Sequence, residues 1–252
     1  MKIYKIPFIS GLGRTSGCEK TPDEFENLIK KKSFNFINVP VDNSNIEYSN
    51  KEIISKVRFE EKTIIVGGDH SVSYASAKAF FQKNKNSGMV VFDAHADLMP
   101  SMKEQTHEDW LRKLIDEKIV SSERIILVGL RNVEIEEEEF IRKNKIRAFY
   151  MANLPDLSTL GDLIMEFSRN FEKIYISIDV DIIDPAFAPG VSCPEPAGFT
   201  NREFFALLRR IFLLKNINVV DIIEINPLKD INNITIKTGI KIIEEFSKEE
   251  EK

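Results

Sequence analysis

Short apolar, β-branched runs alternate along the chain with longer segments in which apolar residues recur at helical spacing. The runs fall at residues 35–41, 63–66, 89–92, 124–128, 146–150, 174–178 and 219–225, each closing at or near Gly, Asp or Asn. Several are apolar on both faces, as strands of a parallel sheet read when helices cover both sides. Helical period marks residues 72–83, 108–117, 134–143, 157–170 and 202–214. The sharpest start is Thr200-Asn201-Arg202-Glu203, where Thr200 caps the free amides and Glu203 reaches back, a capping box ahead of an apolar run. Alternating strand and helix predicts parallel neighbours joined by crossovers, hence a doubly wound α/β sheet. No linker, repeat or composition shift divides residues 1–252, which read as a single domain.

Charge narrows the classes of partner. Against 35 basic residues stand 40 acidic ones, a net charge of −5, so no basic surplus is available for phosphates. A nucleic-acid or anionic-membrane partner is disfavoured, and a small cationic ligand is favoured. The two cysteines, Cys18 and Cys193, form no CxxC pair, which argues against a disulfide framework or a thiolate metal site and fits a reducing compartment. The N-terminal stretch MKIYKIPFISG lacks the apolar core of a secretory leader, and no segment approaches the roughly 20 apolar residues of a membrane span. The expectation is a soluble cytoplasmic protein. Glutamates 136–139 and the tail SKEEEK read as a solvated helix face and a frayed terminus.

The chain has three histidines, His70, His95 and His107, and all follow expected strands in segments crowded with carboxylates. Ile64-Ile65-Val66-Gly67-Gly68-Asp69-His70 runs an apolar strand into two glycines, whose freedom permits a sharp turn that delivers His70 to the sheet's carboxyl edge. In Asp93-Ala94-His95-Ala96-Asp97, alternation along an extended chain puts Asp93, His95 and Asp97 on one side. In Asp179-Val180-Asp181 the same alternation pairs two more carboxylates, before Asp184-Pro185 turns the chain away. A lone Asp at such a place is usually a turn or cap residue. Four of them at strand ends, where open α/β folds build sites, are a different matter. Uncompensated, Asp93, Asp97, Asp179 and Asp181 would repel one another, and desolvation would force protons onto some of them. Two divalent cations cancel the four negative charges. Oxygen and imidazole donors without sulfur suit Mn²⁺ before Zn²⁺, and a shared carboxylate would hold the ions about 3.5 Å apart, the spacing of two-metal hydrolases.

The segments GGDHS, DAHAD, SIDVDIIDPAFAPG and EINP, in this order between residues 67 and 227, resemble the ureohydrolase family of arginases, agmatinases and formimidoylglutamases. The resemblance implies a three-layer α/β/α fold around a mostly parallel sheet of about eight strands. It also implies two Mn²⁺ per subunit: His70 and Asp97 on one ion, His95 and Asp181 on the other, with Asp93 and Asp179 as bridges. Asp181 would in addition orient the attacking hydroxide. Glu224 matches the glutamate that grips the substrate guanidinium, a role suited to bidentate charge-assisted pairing with a planar cation. Outside the resemblance, Glu224 reads as a strand-end carboxylate in a salt bridge. His107 matches a histidine that shuttles a proton to the leaving amine; helix capping near Thr106 is the plainer alternative. Glu108 follows His107 where relatives often carry Gly. The family usually assembles as trimers or hexamers, and Arg131 is a candidate for pairing across a subunit contact or within the chain.

The implied reaction is hydrolysis of a guanidino carbon to urea and an amine. Arginases typically carry Asn two positions beyond the DxHxD segment to read the amino acid's carboxylate, whereas this chain has Met99. That substitution and the loop Pro194-Glu195-Pro196-Ala197-Gly198 point to agmatine, a dication, as the best single substrate. Other guanidino or formimino acids, an amide deacetylation on a similar fold, and a non-catalytic metal-stabilised assembly module are the alternatives. Cys193 sits close to the expected pocket as a reactive thiol or an inert small residue.

Overall fold

Strand and helix alternate from one end of the chain to the other in the computed structural model, which describes residues 1–29 and 34–248. The order is β1 (Lys2–Ile6), α1 (Thr21–Leu28), β2 (Asn35–Asn38), α2 (Ile46–Lys56), β3 (Thr63–Gly67), α3 (Val72–Lys83), β4 (Ser87–Phe92) and α4 (Trp110–Asp116). There follow β5 (Ile125–Leu130), α5 (Ile135–Asn144), β6 (Arg147–Tyr150), α6 (Leu157–Ser168), β7 (Lys173–Asp179), α7 (Asn201–Ile211), β8 (Ile217–Ile223) and α8 (Ile234–Ser247). All strand pairs are parallel, in the order β2-β1-β3-β8-β7-β4-β5-β6. The expected three-layer sheet of about eight strands is what forms.

Strand periodicity divides the core in two. Ile64, Val66, Val90 and Phe92 face one side, packed with α1, α6, α7 and α8 through residues such as Phe25, Ile164, Phe204 and Phe246. Ile65, Met89 and Val91 face the other, against α2 to α5 through Ile53, Phe80, Leu114 and Ile141. The central strands are therefore apolar on both faces for most of their length, with Ser177 of β7 and Asp221 of β8 as buried polar exceptions.

Three differences from the sequence reading have physical causes. Strand β1 is hidden in the sequence because Lys2 and Lys5 interrupt its apolar pattern, yet Lys5 is buried with its ammonium on Asp23 and Glu26. Helix α8 is rich in β-branched residues that favour strands, and its apolar face against α1 and α7 overrides that preference. The glycines before Asp69 serve close approach rather than a sharp turn. A Cβ on Gly68 would lie 2.2 Å from the Phe8 carbonyl oxygen, and one on Gly67 2.8 Å from Ile223. The capping box is formed as expected, with Glu203 N donating to Thr200 at 3.2 Å. Residues 249–252, most of the SKEEEK tail, lie outside the described residues.

Candidate metal centre

Four neighbouring strands, β3, β8, β7 and β4, end side by side, and the sequence-expected residues project from their carboxyl ends. Chain order jumps here: β4 follows β3, but β7 and β8 return later to fill the gap between them. This is the kind of switch point at which open sheets place sites. His70 follows β3, Glu224 follows β8, Asp179 closes β7 with Asp181 just beyond, and Asp93 follows β4 ahead of His95 and Asp97.

The side chains converge. His70 Nδ1 stands 3.0 Å from Asp93 Oδ2, 2.8 Å from Asp97 Oδ2 and 3.3 Å from Asp179 Oδ2. His95 Nδ1 stands 2.8 Å from Asp181 Oδ2 and 3.5 Å from Asp93 Oδ1. Two groups have metal-ligand spacing, His70/Asp93/Asp97 and Asp93/His95/Asp181, and Asp93 belongs to both. Among the described residues, buried His70 Nδ1 and Asp93 Oδ2 have no hydrogen-bond partner although they approach each other. Orphaned polar atoms of this kind are costly unless something else satisfies them. Oxygen and imidazole donors aimed at a common point fit a pair of divalent cations.

Electrostatics describe the same crowding. Burial, then repulsion from Asp181 and Asp93, pushes the Asp179 carboxyl well above its ordinary range, and burial, then Asp93, lifts Asp97 to about 7. Burial pulls His70 down, but Asp97, Asp179 and Asp93 outweigh it and raise the imidazole well above its usual value. Without cations the cluster must hold protons; cations would replace them.

Behind the ligands lies a buried relay. His70 Nε2 is 3.0 Å from Ser177 Oγ, which donates to Asp221 Oδ1 at 2.6 Å. Asp221 also accepts from Tyr175 OH at 2.6 Å, Ser73 Oγ at 2.7 Å and Ile178 N at 3.2 Å. The relay fixes the ring with Nδ1 facing the carboxylates. Neither Ser177 nor Asp221 stands out in the sequence; the clue is a buried-looking Asp in the middle of an apolar strand.

The cluster forms the floor of a cavity of about 450 Å³ that includes Glu224, His107, Met99, Cys193 and Arg14 in its lining. Among the described residues the lining carries eight carboxylates and a single arginine, so a cation is the natural occupant. Glu224 is buried at a positive φ of 66° and forms no salt bridge among the described residues; its Oε1 accepts from His70 N at 2.9 Å. Burial, then Asp69, pushes its carboxyl up to about 8. His107 is buried with Nδ1 unpartnered among the described residues, and burial holds its pKa below the usual value despite the pull of Asp69 and Glu108. Thr106 does not cap α4, which begins after Asp109; its hydroxyl instead lies 2.9 Å from Asp109 Oδ1.

Residues 14–247 match the model described as "Arginase family". The chain belongs to the arginase family. It is 30% identical over 215 residues to an arginase of Staphylococcus aureus, covering 78% of this chain and 71% of that protein. It is 31% identical over 234 residues to proclavaminate amidinohydrolase of Streptomyces clavuligerus, covering 90% and 74%. The fold superposes on a crystal structure of arginase from Bacillus subtilis with a TM-score of 0.90 at 20% identity, over 98% and 97% of the two chains. This is an arginase-family ureohydrolase.

One surface reading changes in this arginase-family chain, and two other residues gain detail. Glu137, expected on a solvated face, is buried beside the cavity, accepting from Leu98 N at 2.7 Å and Glu134 N at 3.0 Å. Arg131 makes no salt bridge among the described residues; it donates to the carbonyls of Pro196 at 3.0 Å, Glu195 at 2.9 Å, Gly129 and Asp181, clamping the 195–196 loop beside the cluster. Burial, then Glu224, pushes the Cys193 thiol up to about 12, which leaves it protonated and inert at neutral pH. No helix is long and apolar enough to cross a membrane among the described residues.

Proposed function

We propose that the chain is a dinuclear manganese hydrolase that cleaves a guanidino compound to urea and an amine, with agmatine as its substrate. The observation that carries this reading is the pair of ligand groups sharing Asp93 on the floor of an acidic cavity, with Glu224 beside them. His70, Asp93, Asp97 and Asp179 would hold one ion, and His95, Asp93, Asp179 and Asp181 the other. Two bound Mn²⁺ would supply Lewis acidity and a water ionised at neutral pH.

The remaining chemistry belongs to the chain. A guanidinium entering the cavity meets Glu224, whose carboxyl ionises against it and orients the planar cation by charge-assisted hydrogen bonds. Asp181, beside His95, orients the attacking water. His107, held neutral by burial, accepts a proton at a ring nitrogen and returns it to the departing amine. The cavity's one arginine, Arg14, is already paired with Glu108 at 2.7 Å, and Met99 offers no polar atom to an α-carboxylate. A second positive charge on the substrate therefore suits the lining better than a carboxylate does. Two cysteines without a disulfide support a cytoplasmic setting, and the family resemblance supports a homo-oligomer, trimer or hexamer.

The test is a urea assay of manganese-reconstituted protein against agmatine, arginine and other guanidines, with formamide release from formimino acids and acetate release from acetylated amines followed in parallel. Agmatine is expected to give the highest kcat/KM. No urea from any guanidine would defeat the reading, and acetate release would replace it with amide deacetylation.

A further inference from the structure

The chain has one tryptophan, Trp110, and it is fully buried at the start of α4. A buried indole N–H needs an acceptor, because leaving it unpaired costs the desolvation of a polar group. The acceptor here is Asp97 Oδ2, at 2.6 Å. The same ring packs on His70, with centroids 4.6 Å apart and planes inclined by 33°. One side chain thus touches two of the residues assigned to a single ion, and only one of those contacts is apolar.

Trp110 is itself held firmly. Its neighbours Leu111 and Leu114 are buried in the same core. Arg112 N donates to Asp97 O at 3.3 Å, and Met99 N donates to Glu108 O at 3.1 Å, so the segments on either side of the loop are joined main chain to main chain. Asp109 closes the loop by accepting from Met102 N at 2.6 Å and Thr106 N at 2.5 Å. Asp97 needs this support, since its φ of 53° lies in the left-handed region that non-glycine residues seldom occupy.

From this geometry we infer that Trp110 is a positioning residue for the His70-side metal, its indole N–H aiming the Asp97 carboxylate while its ring face fixes the His70 imidazole. The inference rests on the dinuclear reading above. Indole is a donor only, so it favours the ionised form of the carboxylate, which a cation also requires. Outer partners of this kind typically change metal affinity 10- to 100-fold.

Trp110→Phe keeps an aromatic ring against His70 and removes the N–H. Leu114→Ala, on the same helix and outside the cavity lining, controls for lost packing. Mn²⁺ affinity is read by competition with a chelator dye, and stability by thermal melting. Trp110→Phe is expected to retain the fold and weaken one of two Mn²⁺ sites by about 10- to 100-fold, while Leu114→Ala lowers Tm and binds both ions normally. Two sites of unaltered affinity in Trp110→Phe would make Trp110 a packing residue and overturn the inference. Absence of Mn²⁺ binding in the unsubstituted protein would instead overturn the metal reading beneath it. Should Trp110→Phe fail to fold, the unsubstituted protein still decides: its single indole N–H gives one NMR cross-peak. Saturation with diamagnetic Zn²⁺ must shift that peak, and an unmoved peak contradicts the inference.

Discussion

Asp93 faces His70 with one carboxylate oxygen and His95 with the other, at 3.0 and 3.5 Å. That placement makes it the joint between two ligand groups, and the acidic cluster is built around it. Both histidines lie within reach of further carboxylates, so neither group depends on Asp93 alone.

Asp179 reaches toward His70 from the end of β7 and completes the cluster. Asp179→Ala removes a carboxylate that the proposed centre shares between its two ions, so Mn²⁺ affinity is expected to fall by more than the roughly 10- to 100-fold associated with an outer partner. Elemental analysis after gel filtration should find fewer than two ions per chain. Two retained ions would remove Asp179 from the ligand set.

Glu224→Gln keeps the shape of the side chain and loses its charge. Both metal ions should remain, while kcat/KM falls by about 100-fold or more, the scale of breaking a buried charge pair. Steady-state urea release beside a metal assay checks the two halves separately. An unchanged kcat/KM would take the guanidinium away from Glu224.

Asp221 gathers donors from Tyr175, Ser73, Ser177 and the Ile178 amide in a fully buried position. Asp221→Ala strands those donors and should cost about 2–4 kcal/mol of stability. Urea denaturation in the presence of chelator measures it without a contribution from metal binding. A loss below about 1 kcal/mol would mean that the network relaxes or is hydrated.

The pH dependence of the metal-free protein has a definite sign. Burial, aided by Asp93 in one case and Asp69 in the other, lifts Asp97 to about 7 and Glu224 to about 8. The folded chain therefore holds protons between the ordinary carboxylate range and about pH 8 that the unfolded chain has released. Raised His70 acts in the same direction above its ordinary value. Stability should fall as pH rises through this window, and Mn²⁺ should flatten the dependence by taking the place of protons. Melting curves in chelator that rise between pH 5 and pH 8 would contradict this reading.

Local pattern alone makes the ligand segments legible in the sequence. Asp93, His95 and Asp97 recur at two-residue spacing just past a strand, as do Asp179 and Asp181, although the chain turns there instead of running extended: Asp97 has a φ of 53° and Val180–Ile182 form a 3-10 turn. Elements with a mixed pattern are harder to read. Lys5 disguises β1 because its partners, Asp23 and Glu26, come from a helix that the sequence does not announce. Glu137 looks like one charge in a solvated run, and only the Leu98 amide shows why it is buried. Trp110 and Asp221 are tertiary facts: their partners lie 13 and 44 residues away in the chain, Asp97 and Ser177. No spacing rule links them.

Anomalous diffraction at the manganese edge from crystals of the Mn²⁺-loaded protein tests the dinuclear centre most directly. Two peaks per chain are expected to flank Asp93, one within bonding distance of His70 and the other of His95. A single peak, or peaks away from these histidines, would contradict a two-metal site built on Asp93.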